Sequence, residues 1–192
     1  MTDEELAAQV KEGNENALAE LIDRYEAKLL RYGQRFLGAQ NPDALREAVQ
    51  DIFISMYQNI EGFDVKQRFS PWIYRIAHNA FVDLLRQKTR QPLYLFDFDT
   101  VLSHAVDTSH ADSVVKEKEN AEARVLLEKG LDKLSAQQRE IIVLYYFEEL
   151  SYKEIADVLH LPVSTVGVRL ARARTKLKNQ LPDDPSHLPF SL

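Results

Sequence analysis

Residues Ser151 to Lys178 read SYKEIADVLHLPVSTVGVRLARARTKLK. Ser151 with Glu154 forms a capping box, in which each side chain satisfies an orphan amide in the first turn of a helix, so the pattern predicts a helix from near Tyr152. Ile155, Ala156 and Leu159 share one face of it. His160-Leu161-Pro162-Val163 ends it, because the residue before a proline is pushed out of the helical region. Ser164 is the expected cap of a second helix. On that helix Val166, Leu170, Ala173 and Leu177 follow the i, i+4, i+7, i+11 spacing of a buried stripe. Thr165, Val168, Arg169, Arg172, Thr175 and Lys176 are left outside the stripe.

Two short helices around a four-residue turn, the second with five basic residues and no acid, form a helix-turn-helix pattern suited to DNA. In such motifs the N-terminal residues of the second helix reach base edges, while flanking cations fix register on phosphates. Arg169 and Arg172 are placed for either role. Arg174, Lys176 and Lys178 lie further along and fit phosphates. A run of charge is ordinarily a solvated face, but such faces mix signs and this one does not.

The formal net charge of the 192 residues is −6, which argues against DNA until charge is counted locally. Residues 1–26 hold eight acids against Lys11 and Arg24, whereas residues 164–180 carry +5. Residues 66–90 also carry +5, from Lys66, Arg68, Arg75, Arg86, Lys88 and Arg90 against Asp83. Two cationic segments in an acidic chain weaken long-range attraction to DNA and favour binding assisted by another body. The chain has no cysteine, so disulfides and thiolate metal sites are excluded, and its five histidines lack ligand spacing. No cofactor or metal is expected. The polar start and the short longest apolar run, Ile141 to Phe147, predict a soluble, cytoplasmic protein without membrane insertion.

Helix start signals recur at Thr2 with Glu5, at Asn14, at Asn41 before Pro42, at Ser70 before Pro71 and at Ser135 with Gln138. No alternating strand or hairpin turn interrupts them, so the expected fold is all-α. Between Ala44 and Gln58, Val49, Phe53 and Met56 make one face, with Ala48 and Ile52 beside it. Glu47, Gln50, Asp51, Ile54 and Gln58 make the other, which composition leaves open as solvent surface or partner-docking face. After Pro71, the expected core side is Ile73, Ile76, Ala77, Ala80 and Leu84. Arg75, Asn79, Val82 and Arg86 line a second stripe. Phe69, Trp72 and Tyr74 can stack on exposed bases or serve the core. The loop from Phe63 to Phe69 is a better place to seat unpaired bases, because loops can shape a pocket.

Taken in order, four segments resemble a bacterial sigma factor of the extracytoplasmic-function (ECF) class. They are ALAELIDRYEAKLLRYGQRFLG, AVQDIFISMYQNIEGFD, FSPWIYRIAHNAFVDLLRQKTR and SAQQREIIVLYYFEELSYKEIADVLHLPVSTVGVRLARARTKLK. The resemblance runs from about Ala17 to Lys178 and covers the second and fourth conserved regions of the class. It implies that Glu47, Gln50, Asp51 and Ile54 dock on core RNA polymerase. It further implies that Arg68, Phe69, Arg75, Asn79 and Arg86 handle the minus-ten element and its melting. Ser164, Thr165, Val168, Arg169, Ala171, Arg172 and Lys176 would read the upstream minus-thirty-five element of promoter DNA. A sequestering anti-sigma factor is implied as a further partner, and the chemistry would belong to the polymerase. The chain departs from the family at His160, where a turn glycine is usual, and at Gly167 and Val168. Val168 and Ala171 offer only apolar contact, suited to thymine methyl groups.

The expected organisation is two small helical domains, 1–90 and 116–180, joined by a flexible acidic linker at 91–115, with a disordered tail at 181–192. Twenty-five linker residues can reach ~80 Å when extended, against about 70 Å for two helical turns of DNA. Two other functions fit parts of the pattern: a stand-alone helix-turn-helix regulator, and a degenerate sigma-like interaction module. No nucleophile with a base and an orienting group can be assembled, so an enzyme is not expected.

Overall fold

A computed structural model describes residues 1–38, 42–89 and 130–179, with the side chains of 87–89 excepted. The linker 91–115, the tail 181–192, Asn41 and Arg90 lie outside the described residues. Among the described residues every regular element is a helix, as expected. They fall into two compact units, the first holding α1 to α4 and the second α5 to α7.

In the first unit α1 (Asp3–Lys11) starts at the predicted capping box, Thr2 with Glu5. Asn14 caps α2 (Glu15–Leu37), its Oδ1 accepting from the amides of Asn16 and Ala17 at 3.0 and 3.2 Å. α3 (Pro42–Asn59) opens on proline, whose missing amide is no loss at a helix start. A 3-10 turn, Ile60–Gly62, leads to the loop before α4 (Phe69–Thr89). The core is aromatic. Tyr25, Tyr32, Tyr74, Phe69 and Phe81 are all buried, and Tyr32 lies 5.3 Å from Tyr74 and 5.5 Å from Phe81 between ring centroids. Gly33 permits the crossing of α2 with α3 and α4: a Cβ there would stand 2.5 Å from Leu45 Cδ1 and 2.8 Å from Phe81 Cζ.

The buried stripe of α4 differs from expectation. Ile73, Tyr74, Ala77 and Phe81 are buried, whereas Ile76, Ala80 and Leu84 are only half-buried. Burying two large rings against Tyr32 removes more apolar area from water than burying the aliphatic side chains, so the helix is rotated toward its aromatics.

In the second unit α5 (Ala136–Tyr146) starts at the expected box of Ser135 and Gln138. Ile141, Ile142, Val143 and Leu144 are all buried, which is why this run shows no amphipathic period. α6 (Tyr152–Leu159) begins at the Ser151–Glu154 box, with Ser151 N–H donating to Glu154 Oε2 at 2.8 Å. It ends at His160, whose φ of 53° and ψ of 45° place it in the left-handed region that usually favours glycine. The next amide, Leu161, donates to Ala156 O at 3.0 Å.

The second helix of the motif, α7 (Val163–Lys178), starts two residues before the position that a Ser164 cap predicts. Pro162, in an extended conformation, is its cap residue, and the Pro162 carbonyl accepts from Thr165 and Val166 amides at 2.9 and 3.2 Å. Ser164 is therefore within the helix rather than its cap. Val166, Leu170, Ala173 and Leu177 are fully buried, as their spacing predicts.

Candidate nucleic-acid interface

α7 holds its outward residues opposite this buried stripe. Ser164 and Arg172 are exposed, and Thr165, Val168, Arg169, Ala171 and Lys176 are half-buried, so all seven predicted reading residues share the accessible part of the helix. Lys176 Nζ donates to Gln138 Oε1 on α5 at 3.1 Å, which ties that cation to the unit. Arg174 departs from the phosphate role expected for it. Its guanidinium lies 5.1 Å from the Tyr145 ring centroid and 5.4 Å from that of Tyr146, a packing position that braces α7 on α5. Tyr145 also meets Tyr152 edge-on at 5.5 Å, joining α6 to the same cluster. Burial raises the pKa of the Tyr146 phenol, and Arg174 offsets this only in part.

The first unit offers a second accessible strip. On α4, Asn79 and Arg86 are exposed and Arg75 half-buried, while Arg86 Nη1 pairs with Asp83 Oδ1 at 3.0 Å. An exposed ion pair of this kind contributes little to stability and can open toward phosphate. Before α4, Asp64 to Arg68 are exposed at the tip of a loop. The Asp64 side chain shapes the tip by accepting from the Lys66 amide at 3.0 Å.

Phe69 does not belong with the base-contacting residues. It is fully buried, edge-on to Tyr25 at 5.3 Å and to Phe63 at 5.5 Å, with Trp72 at 5.6 Å. Tyr74 is buried too. These rings anchor the loop from beneath, and Trp72 is the half-buried member of the group.

Two contacts lie beyond the reach of the sequence pattern. Glu4 on α1 accepts the Phe69 amide at 2.9 Å, so the start of α4 is satisfied by a distant carboxylate rather than by Ser70. Burial pushes the Glu4 carboxyl upward, but the amides of Phe69 and Glu4 and the Thr2 hydroxyl outweigh it and hold the group below its ordinary value. Lys11, at the other end of α1, donates to the carbonyls of Glu61 and Phe63 at 3.0 and 2.5 Å.

On α3, Glu47, Gln50 and Asp51 are exposed, and Ile54 keeps 55 % of its surface in solvent. Tyr57, one turn further on, keeps 53 % and extends the face that the sequence pattern ended at Gln58 without it. Its spacing of i+3 from Ile54 is the signal that could have found it. Among the described residues, no group of three or more His, Cys, Asp or Glu side chains could hold a metal ion. No described helix is long and apolar enough to cross a membrane.

Comparison with known proteins agrees with this division. The family described as Sigma-70 region 2 matches residues 21–91, and Sigma-70, region 4 matches residues 124–177. The chain is 36 % identical over 184 residues to the ECF RNA polymerase sigma factor SigW of Bacillus subtilis, covering 91 % of this chain and 94 % of that one. The chain belongs to the ECF sigma-factor family. The ECF RNA polymerase sigma-E factor of Haemophilus influenzae is 30 % identical over 190 residues, with 94 % of this chain and 96 % of the other covered. Among solved structures, CnrH in complex with the cytosolic domain of CnrY is similar at 31 % identity and a TM-score of 0.64, covering 92 % of this chain and 95 % of that one. In this ECF sigma factor, α3, α4 and the intervening loop fall in the region 2 match, and α5 to α7 in the region 4 match. α1 precedes both.

Proposed function

We propose that this ECF sigma factor binds core RNA polymerase and directs promoter-specific initiation by dividing three contacts between its units. Glu47, Gln50, Asp51 and Ile54, joined by Tyr57, dock α3 on the polymerase. Ser164, Thr165, Val168, Arg169, Ala171, Arg172 and Lys176 present α7 to the major groove of the upstream element. Arg68, Arg75, Asn79 and Arg86 face the minus-ten element and its separated strands. Residues 1–90 and 116–180 act as the two domains, 91–115 as the tether that spans the promoter, and 181–192 as a tail.

The observation that carries this reading is the outer face of α7, where Arg169, Arg172 and Lys176 stand on a helix that has no acidic residue of its own and whose opposite side is fully buried. Such a face binds phosphate and reads guanine edges, which a docking helix for protein has no need to do. The protein works in the cytoplasm, where its DNA lies, and the bond-making steps belong to the polymerase. A sequestering protein partner is part of the same reading, supported by the capture of the similar CnrH with the cytosolic domain of CnrY.

Run-off transcription tests it. Core enzyme supplied with the full chain should give transcripts from a restricted promoter class, and those should vanish when the upstream element is scrambled. Absence of any transcript across a genomic promoter library, or indifference to that scrambling, would refute the reading.

A further inference from the structure

The loop that separates α3 from α4 is gripped at both ends by one helix. α1 offers Glu4 to the amide of Phe69, at the loop's exit, and Lys11 to the carbonyls of Glu61 and Phe63, at its entrance. The two side chains lie seven residues apart, about two turns along the helix. α1 is itself tied down: Asp3 accepts from Arg24 Nη1 and from the Tyr25 hydroxyl, both at 2.6 Å, and Leu6, Ala7 and Val10 are buried. Tyr25 in turn packs edge-on against Phe69.

Between the two grips only the tip remains exposed, from Asp64 to Arg68. Gln67 donates its amide to the Asp64 carbonyl at 2.9 Å, so the tip is a closed turn on fixed ends. A helix that merely covered apolar surface would need Leu6, Ala7 and Val10 and neither polar grip. Loops that receive a ligand lose less entropy on binding when their ends are already held.

We infer that α1 is a positioning element for promoter opening, with Glu4 and Lys11 holding the loop at 64–68 in the shape that receives an unpaired strand. This rests on the assignment of Arg68 and its loop to the minus-ten element. Two carboxylates of the acidic first helix thereby gain a purpose, since Asp3 serves the neighbouring helix and Glu4 the loop.

The experiment uses holoenzyme assembled from core polymerase and the full chain, with strand opening read by permanganate reactivity and core affinity measured in parallel. Glu4→Ala and Lys11→Met should each reduce opening roughly tenfold, the size expected for losing a hydrogen bond to a charged group, with core affinity unchanged. Glu4→Gln should recover most of the loss, because its side-chain carbonyl accepts the same amide. Combined with Arg68→Ala, either α1 substitution should cost less than the product of the separate losses, since both act through one loop. Unchanged opening in the α1 variants, multiplicative losses, or core affinity falling in step with opening would overturn the inference while leaving the loop's role intact. Normal opening by Arg68→Ala alone overturns the loop assignment and the inference with it. Should Lys11→Met unfold the unit, the contrast of Glu4→Ala with Glu4→Gln decides alone, and equal opening by those two is fatal.

Discussion

On α7 the side chains turned from the core include Arg169, Arg172 and Lys176 with no acid among them; on α3 they are Glu47, Gln50 and Asp51 around Ile54 and Tyr57, each about half exposed. If, as proposed, the partners of the first face are phosphates with a counterion atmosphere, its attraction acts at a distance and weakens with salt. The second carries the opposite sign, from Glu47 and Asp51, around an apolar centre, and on the proposed reading most of its affinity comes from desolvating Ile54 and Tyr57 at short range within that polar rim. On the proposed reading one helix serves nucleic acid and the other protein. The cores beneath them differ as well: aromatic rings close around a glycine in the first unit, and an aliphatic run is wrapped by two helices in the second.

The largest effect should come from the glycine that lets the first core close. At Gly33→Ala the new methyl would lie 2.5 Å from Leu45 and 2.8 Å from Phe81, closer than buried carbons approach one another. The gain in helix propensity is outweighed by overpacking, and a net loss of about 2–3 kcal/mol is expected. Thermal unfolding of the full chain should show the first unit melting earlier and the second unchanged. A wild-type transition would mean that Phe81 can swing aside, and the contrast between rigid aromatic and adaptable aliphatic core would fail.

Next comes the apolar centre of α3. Ile54→Glu leaves the fold alone, since the side chain is already more than half in solvent, but it places a charge where desolvation is needed. Affinity for core polymerase should fall by about 2 kcal/mol, with little change in the salt dependence of binding. A steep new salt dependence instead would mark this face as electrostatic, like that of α7.

Arg172→Ala probes the opposite face and should cost about 1–2 kcal/mol at the upstream element. If the side chain grips a guanine, the loss is confined to promoters carrying that base. If it grips a phosphate, the loss is uniform and the slope of log affinity against log salt falls by about one. Either result keeps α7 as the nucleic-acid face, and no change in DNA binding by holoenzyme removes it.

How much of this can be read from the chain alone follows from which contacts are local. The boxes at Thr2, Ser135 and Ser151 are four-residue signals and appear where the pattern predicts them. The stripe of α7 is a single clean period. On α4 the apolar band is too wide for period alone to choose a face, and Tyr74 and Phe81 decide the choice through Tyr32 on another helix. Arg174 escapes the pattern for a similar reason, because the rings that hold it lie some thirty residues earlier in the chain. For Phe69 the pattern leaves base stacking and core both open until Tyr25, Phe63 and Trp72 are seen around it. Ser164 yields its capping role to Pro162, whose fixed backbone supplies the cap geometry without a side chain.

The smallest expected effect is a gain, and it lies at the second helical glycine. Gly167 sits inside α7, yet a Cβ there would stand 3.6 Å from the Tyr152 ring, an ordinary van der Waals contact. Nothing in the packing demands the absence of a side chain, so Gly167→Ala should stabilise the second unit by about 0.5–1 kcal/mol through the backbone alone. The same substitution therefore has opposite signs in the two units, and thermal unfolding of the two variants side by side measures the contrast directly. If Gly167→Ala raises the melting temperature but lowers upstream-element recognition, the glycine serves close approach to DNA rather than the fold. A gain in both would show that a helix stiffened at this point reads its element better.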